Sequence, residues 1–203
     1  MKISEHRFWD RYSVYDTLWN AGGNELFSGS LESPPITDMY ARTTVTLPTL
    51  AEGTVADISA VTPSGSAGLA VLPLRLRGWD RPTLVWNHGF RERPFAFGRG
   101  APNTFSHMFP TERRPEGWNI LVVRAPFHGG TDAELFAALA DLDRYVVMMA
   151  APAVCLDAIV RESHGAGGVV VASGISLGGA VVNLHRACGD AADAYAPLLA
   201  GAA

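Results

Sequence analysis

The sequence predicts an α/β fold: a mostly parallel sheet flanked by helices, entered through antiparallel N-terminal strands. Two observations carry this reading. After Trp79-Asp80-Arg81-Pro82, compact apolar runs at 83–87, 119–124, 168–173 and 194–200 alternate with helix-like stretches. Runs of this kind are what parallel sheets bury on both faces. Before that point, strand candidates at 41–50, 54–62 and 68–77 are separated by turn-like Ala-Glu-Gly and Thr-Pro-Ser-Gly-Ser, so they pair as antiparallel neighbours. An antiparallel lead-in followed by βαβ units puts helices on the faces of one sheet.

Taken in order, residues 4–19 place Phe8, Tyr12, Tyr15 and Trp19 at helical spacing, an aromatic face that packs on the domain. A Gly/Ser/Pro-rich loop runs from 22 to about 38. The chain therefore divides into an N-terminal helix and loop at 1–40 and an α/β core at 41–203. Within the core, the Ala/Leu/Met-rich stretch 132–163 reads as helix, interrupted near Pro152. Residues 177–187 read as a second helix with Gly189 as its cap.

Composition narrows the function classes. With 203 residues, 48% of them hydrophobic, the chain can bury one sizeable core. A net charge of −4 with scattered arginines argues against nucleic-acid and anionic-membrane partners. No stretch approaches the roughly 20 apolar residues of a membrane span. The N-terminus is too charged for a signal peptide. Cys155 and Cys188 lack metal spacing and read as reduced core thiols, which points to the cytoplasm and to no bound metal or cofactor.

The chemistry-bearing pattern is Gly174-Ile175-Ser176-Leu177-Gly178, a G-x-S-x-G placed between an apolar β-branched run and a helix-like segment. A bare match is weak in a chain this rich in glycine and serine. The strand–turn–helix setting makes it meaningful, because the sharp turn lifts the serine hydroxyl out of the sheet. A phosphate-binding reading fails, since the segment lacks both the G-x-G-x-x-G spacing and the lysine of a P-loop. Two more glycine-bearing loops leave parallel strands at their C-terminal ends, where ligands bind in such sheets. They are Trp86-Asn87-His88-Gly89-Phe90 and Arg124-Ala125-Pro126-Phe127-His128-Gly129-Gly130-Thr131.

These residues, in this order, resemble the α/β-hydrolase superfamily over about 41–203, in the manner of dienelactone-hydrolase or prolyl-oligopeptidase-like members. His88-Gly89-Phe90 is similar to the family's H-G-x oxyanion loop, and Gly174 to Gly178 to its nucleophile elbow. The resemblance implies Ser176 as nucleophile and the backbone N–H groups of Leu177 and Phe90 as oxyanion donors. It implies His88 as a residue that pins the oxyanion loop rather than a base. By position, His107 reads as a helix-face residue beside that loop. His185 lies about 13 Å along a helix from Ser176, too far to reach it. Asp132 and Glu134 read as helix-start charges, and Arg91, Glu92 and Arg93 as a solvated loop.

The family order is Ser, then Asp or Glu, then His. Neither the acid nor the base has a matching position before Ala203, and on the order of 60 residues of strand and helix are lacking at roughly 30 per βαβ unit. The expectation is therefore a truncated or split hydrolase. Its complete form would cleave an ester, thioester or amide of a small-molecule acyl substrate through an acyl-serine. The same features leave open an acyltransferase and a non-catalytic binding domain. The apolar run at 194–200 would be an unpaired edge, open to self-association or complementation by another chain.

Overall fold

The computed structural model describes residues 26–97 and 100–200. The helix expected at 4–19 lies outside them. Helix α1 (Ile36–Arg42) precedes strands β1 (Thr44–Val45), β2 (Ala56–Thr62), β3 (Gly65–Arg75) and β4 (Thr83–Asn87). Next come α2 (Thr104–Met108), β5 (Asn119–Arg124), α3 (Asp132–Ala138) and α4 (Leu142–Gly165). Strand β6 (Val170–Ile175), α5 (Leu177–Cys188) and β7 (Ala194–Leu198) complete the described elements.

One seven-stranded sheet has the order β1-β2-β3-β5-β4-β6-β7. Strands β5, β4, β6 and β7 are mutually parallel, while β1, β2 and β3 form the antiparallel lead-in and β3 joins β5 antiparallel. Strand β4 lies at the centre of the parallel part, with Val85 opposite Leu121 on one side and Ala172 on the other. All five of its residues are buried. Alternate side chains of a strand face opposite ways. Val85, Leu121, Val123 and Ala172 pack under Ala151, Cys155, Leu156 and Ile159 of α4. Leu84, Trp86, Ile120 and Val122 meet Phe105 of α2 on the other face.

Three expectations need correction. The strand placed at 41–50 shrinks to Thr44–Val45, and α1 occupies the residues before it. Met39 and Tyr40 on that helix are buried against α4 and α5, a tertiary contact that local pattern does not encode. The helical region 132–163 is two helices, broken at 139–141 rather than at Pro152, which sits inside a continuous α4. A Thr131–Glu134 capping box starts α3, and the 27–30 segment hydrogen-bonds to the backbone at 139–142. Among the cysteines, Cys155 is buried, with its thiol pushed up to about 12 by desolvation, but Cys188 is exposed and not part of the core.

At the outer end of the sheet, β7 pairs with β6 and with no other strand among the described residues. The Leu198 carbonyl faces β6, accepting from Ser176 N–H at 2.9 Å. Pro197 therefore presents its backbone to the outer rim, where it supplies a carbonyl but no donor.

Beneath the sheet, Asp157 of α4 collects a buried polar cluster. One carboxylate oxygen accepts from the Tyr40 hydroxyl and the other from Asp190 N–H at 2.8 Å. His185 Nε2 lies 3.0 Å from the second oxygen but off the line of a hydrogen bond, so that contact is electrostatic. His185 Nδ1 meets the Tyr195 hydroxyl at 3.2 Å. Burial alone would raise the Asp157 carboxyl, yet His185 and Tyr40 outweigh it and hold the group below its usual range. Its stabilisation is thus present above the unfolded value near 3.9 and lost as pH falls below it. Asp157→Ala strands the buried His185 and Tyr40 groups and should cost about 3–5 kcal/mol of stability, read by denaturant unfolding; a loss within experimental error would show that the cluster contributes nothing.

Candidate active site

Ser176 occupies the turn between β6 and α5, with φ 52° and ψ −113°. A non-glycine residue there costs on the order of 1–3 kcal/mol and persists only where its surroundings hold it. Here the holding is visible. Ser176 N–H donates to the Leu198 carbonyl at 2.9 Å, and its own carbonyl accepts from Ala180 N–H at 3.0 Å. The glycines permit the close approach. A Cβ on Gly178 would run into the carbonyls of Asn87 and His88, and one on Gly174 would meet those of Gly178 and Asn87. The result is an exposed serine beside the carboxyl ends of β4 and β6.

The loop after β4 is fixed from within. His88 is 2% exposed. Its Nδ1 lies 2.6 Å from the Gly89 carbonyl, and its Nε2 accepts from Ala125 N–H at 3.0 Å. Because Nε2 must accept, Nδ1 carries the hydrogen and donates. Burial first, then the neighbouring His128, lowers the His88 imidazole to about 3. The ring is thus a neutral strut joining the loops after β4 and β5. Gly89 N–H donates to Glu92 Oε2 at 3.1 Å, and the other Glu92 oxygen accepts from the N–H and hydroxyl of Thr104. Arg91 is bound to Asp132 at 2.9 Å. The segment Arg91–Glu92, expected to be solvated, is instead anchored on both sides.

The remaining histidines fall into place. His128 donates from Nδ1 to the Pro126 carbonyl at 3.0 Å, and its ring meets His88 edge-on, with centroids 4.5 Å apart. Desolvation lowers it. His107 is exposed on α2 and shares a hollow with Phe90. His164 lies 2.9 Å from Asp193, which also accepts from Val170 N–H at the start of β6. That His–Asp pair and the His185–Asp157 pair both lie toward the amino ends of the parallel strands, opposite Ser176. Asp157 was missed from sequence. Its signal was a lone carboxylate inside the apolar run Ala-Val-Cys-Leu-Asp-Ala-Ile-Val, where a charge requires a partner.

Gly89 does not adopt a positive φ, and a Cβ there would find Ile175 at 3.4 Å and Glu92 at 3.5 Å, ordinary contact. Gly178, by contrast, is sterically closed. Gly178→Ala should therefore lower stability by about 1–3 kcal/mol through overpacking, whereas Gly89→Ala should be near neutral in the same thermal melt; equal effects would contradict this geometry. A second outcome concerns pH. Unfolded chain protonates histidine near 6.5, but folded His88 does not until about 3. The folded state binds fewer protons between those values, so stability is full above that window and falls as the pH drops through it. His88→Asn should flatten the fall in urea midpoint between neutral and mildly acidic buffer, and an unchanged slope would remove His88 as its source.

No family model matches the chain, and no curated protein matches it. Among solved structures, it is similar to an acetyl xylan esterase from Paenibacillus sp. R4, with 14% identity over 98% of this chain and 60% of that one and a TM-score of 0.39. It is similar to oligopeptidase B from Leishmania major, with 17% identity over 67% of this chain and 19% of that one and a TM-score of 0.36. Acetyl xylan esterase 1 from Thermoanaerobacterium sp. JW/SL YS485 gives 14% identity, 78% and 57% coverage and a TM-score of 0.36. The chain thus spans 60% or less of the length of each of these structures.

Proposed function

We propose that this chain carries the nucleophile and oxyanion loop of a serine hydrolase that cleaves an ester, thioester or amide through an acyl-serine intermediate. The observation that carries the reading is the Ser176 turn: an exposed hydroxyl on a strained residue between a parallel strand and a helix. Strain at such a position is costly for folding and gains meaning when the side chain has a task. Ser176 Oγ attacks the carbonyl carbon and loses its proton to a base. Negative charge gathers on the former carbonyl oxygen.

Two backbone donors support that charge on this reading. The N–H groups of Leu177, at the start of α5, and of Phe90, after Gly89, have no acceptor among the described residues. Donors fixed before reaction contribute about 3–4 kcal/mol each to the transition state. Collapse of the tetrahedral adduct breaks the bond to the leaving group, which takes up the proton, and water then releases the acid.

No hydrogen bond joins the Ser176 hydroxyl to a histidine among the described residues, and on this reading none of the described histidines is the base. His88 has both ring nitrogens engaged by backbone, and two others are paired with Asp157 and Asp193 at the other end of the strands. The proposal therefore assigns the base and its orienting acid to residues outside 26–200. An unassisted serine hydroxyl is a weak nucleophile, so the reaction needs that base.

A fluorophosphonate probe tests the assignment, because it forms a stable phosphonyl ester with an activated serine. Labelling should map to Ser176 by peptide mass and vanish in Ser176→Ala while thermal unfolding is unchanged. Labelling at an equal rate in that variant would overturn the proposal.

A further inference from the structure

We propose that the cleft between segment 93–96 and the loop after β5 binds an oxyanion, a carboxylate or phosphate group, held by Arg93 and Arg124. The cleft has a volume of about 140 Å³ and is lined by Arg93, Phe95, Arg124, His128, Gly129 and Gly130 among others, with no carboxylate in its lining. Its size is well below the roughly 300–1,000 Å³ of sites for whole drug-sized ligands. It therefore suits one acid group rather than an extended molecule.

The nearby carboxylates are committed elsewhere. Asp132 holds Arg91, Glu92 accepts from Gly89 and Thr104, and Glu134 closes the capping box with Thr131. Asp57 touches one Arg124 nitrogen at 3.3 Å, but its side chain is 82% exposed, so the contact is screened by water. Arg93 is exposed and has no side-chain partner among the described residues. Two arginines therefore line one concavity without a lining acid. An acid group seated between them can pair with both.

Arg124 is also presented for the task. Its guanidinium carbon lies 5.1 Å over the Phe95 ring. A Cβ added to Gly129 would sit 3.5 Å from the same carbon. The planar group thus lies against an aromatic ring and near bare backbone, and its nitrogens other than the one that reaches Asp57 are left to bind an oxyanion. His128 closes the wall. It is 9% exposed, and its Nε2 has no hydrogen-bond partner. A buried unpartnered polar atom is uncommon and calls for an explanation. With Nδ1 donating to the Pro126 carbonyl, Nε2 is left an acceptor, so in the same cleft it takes the hydrogen of an acid group that keeps one proton, such as a monohydrogen phosphate held by the arginines.

The cleft neighbours the loop that carries Phe90. A small adjoining hollow shares Arg93, His128 and Gly130 with it and reaches Arg91 and Asp132, which line the larger hollow at Phe90. If the acyl-serine reading holds, the group bound here is an acidic substituent of the substrate. Anion binding itself does not depend on that reading.

The test is titration of the full chain with inorganic phosphate and, separately, with succinate at constant ionic strength. Calorimetry reports affinity, and the His128 imidazole resonance reports location. Saturable binding that perturbs His128 is expected for at least one probe. Arg93→Gln and Arg124→Gln should each weaken it about tenfold or more, while Arg124→Lys, which keeps charge but loses the fork, should fall between. Phosphate alone, or succinate alone, identifies which acid group the cleft takes. Saturation by neither probe, or affinities unchanged in both glutamine variants that still melt as wild type, overturns the proposal. Repeating the titration in Ser176→Ala separates the two hypotheses: binding retained there stands whatever the labelling shows, and binding lost in the arginine variants leaves the labelling result intact.

Discussion

The close approach of the first turn of α5 to the end of β4 is the constraint on which the rest of the site depends. At Gly178 there is no room for even one carbon between the helix and the Asn87 and His88 carbonyls. Gly179 is similarly pressed by the Leu198 carbonyl and Ala200. Helix α5 is therefore seated between two strand ends, and its starting residue is forced into a sharp turn. Ser176 becomes exposed because the glycines two positions to either side of it let the surrounding backbone come close.

The same helix is held at its far end by different chemistry. His185, fully buried near the C-terminus of α5, lies between the Asp157 carboxylate and the Tyr195 hydroxyl. Tyr40 brings α1 to the same carboxylate. A cap follows at Gly189, whose missing side chain leaves space for Asp157 and Tyr40. Steric fit at the top and a charged cluster at the bottom thus set the axial position of one helix. Oversized groups are excluded from the first and uncompensated polar groups from the second.

Around the top of the sheet, polar groups serve as struts. His88 bridges the loops after β4 and β5, Glu92 ties Gly89 to Thr104, and Arg91 reaches Asp132 at the start of α3. Each is a side chain that satisfies backbone or charge on a different loop, so the loops hold one another rather than moving separately. The arrangement leaves Arg93 and Arg124 as the cations facing an acid-free cleft. Rigid loops of this kind suit a site whose donors must be in place before a ligand arrives.

Local pattern was enough to read the parallel strands, the glycine-flanked Ser176 turn, the helix starts at Asp132 and Leu177, and the cap at Gly189. Each of these is written in a short window: β-branched runs bounded by glycine, a capping residue three positions before a glutamate, a serine between two glycines. What was not legible depended on residues far apart in the chain. Tyr40 and the two residues after it form the end of a helix, where a loop running into a strand was expected, because α4 and α5 bury Tyr40, and Pro152 stays within α4 because the break forms where the 27–30 segment hydrogen-bonds at 139–142. Asp157 finds Tyr40, His185 and Asp190 only after three elements pack together. The arginine cleft likewise joins segments about thirty positions apart through a ring and a bare glycine. Sequence by itself determined which residues could turn or cap. Tertiary structure decided which of them meet, because distance in space, burial and the pairing of charge are properties of the packed chain and not of any window within it.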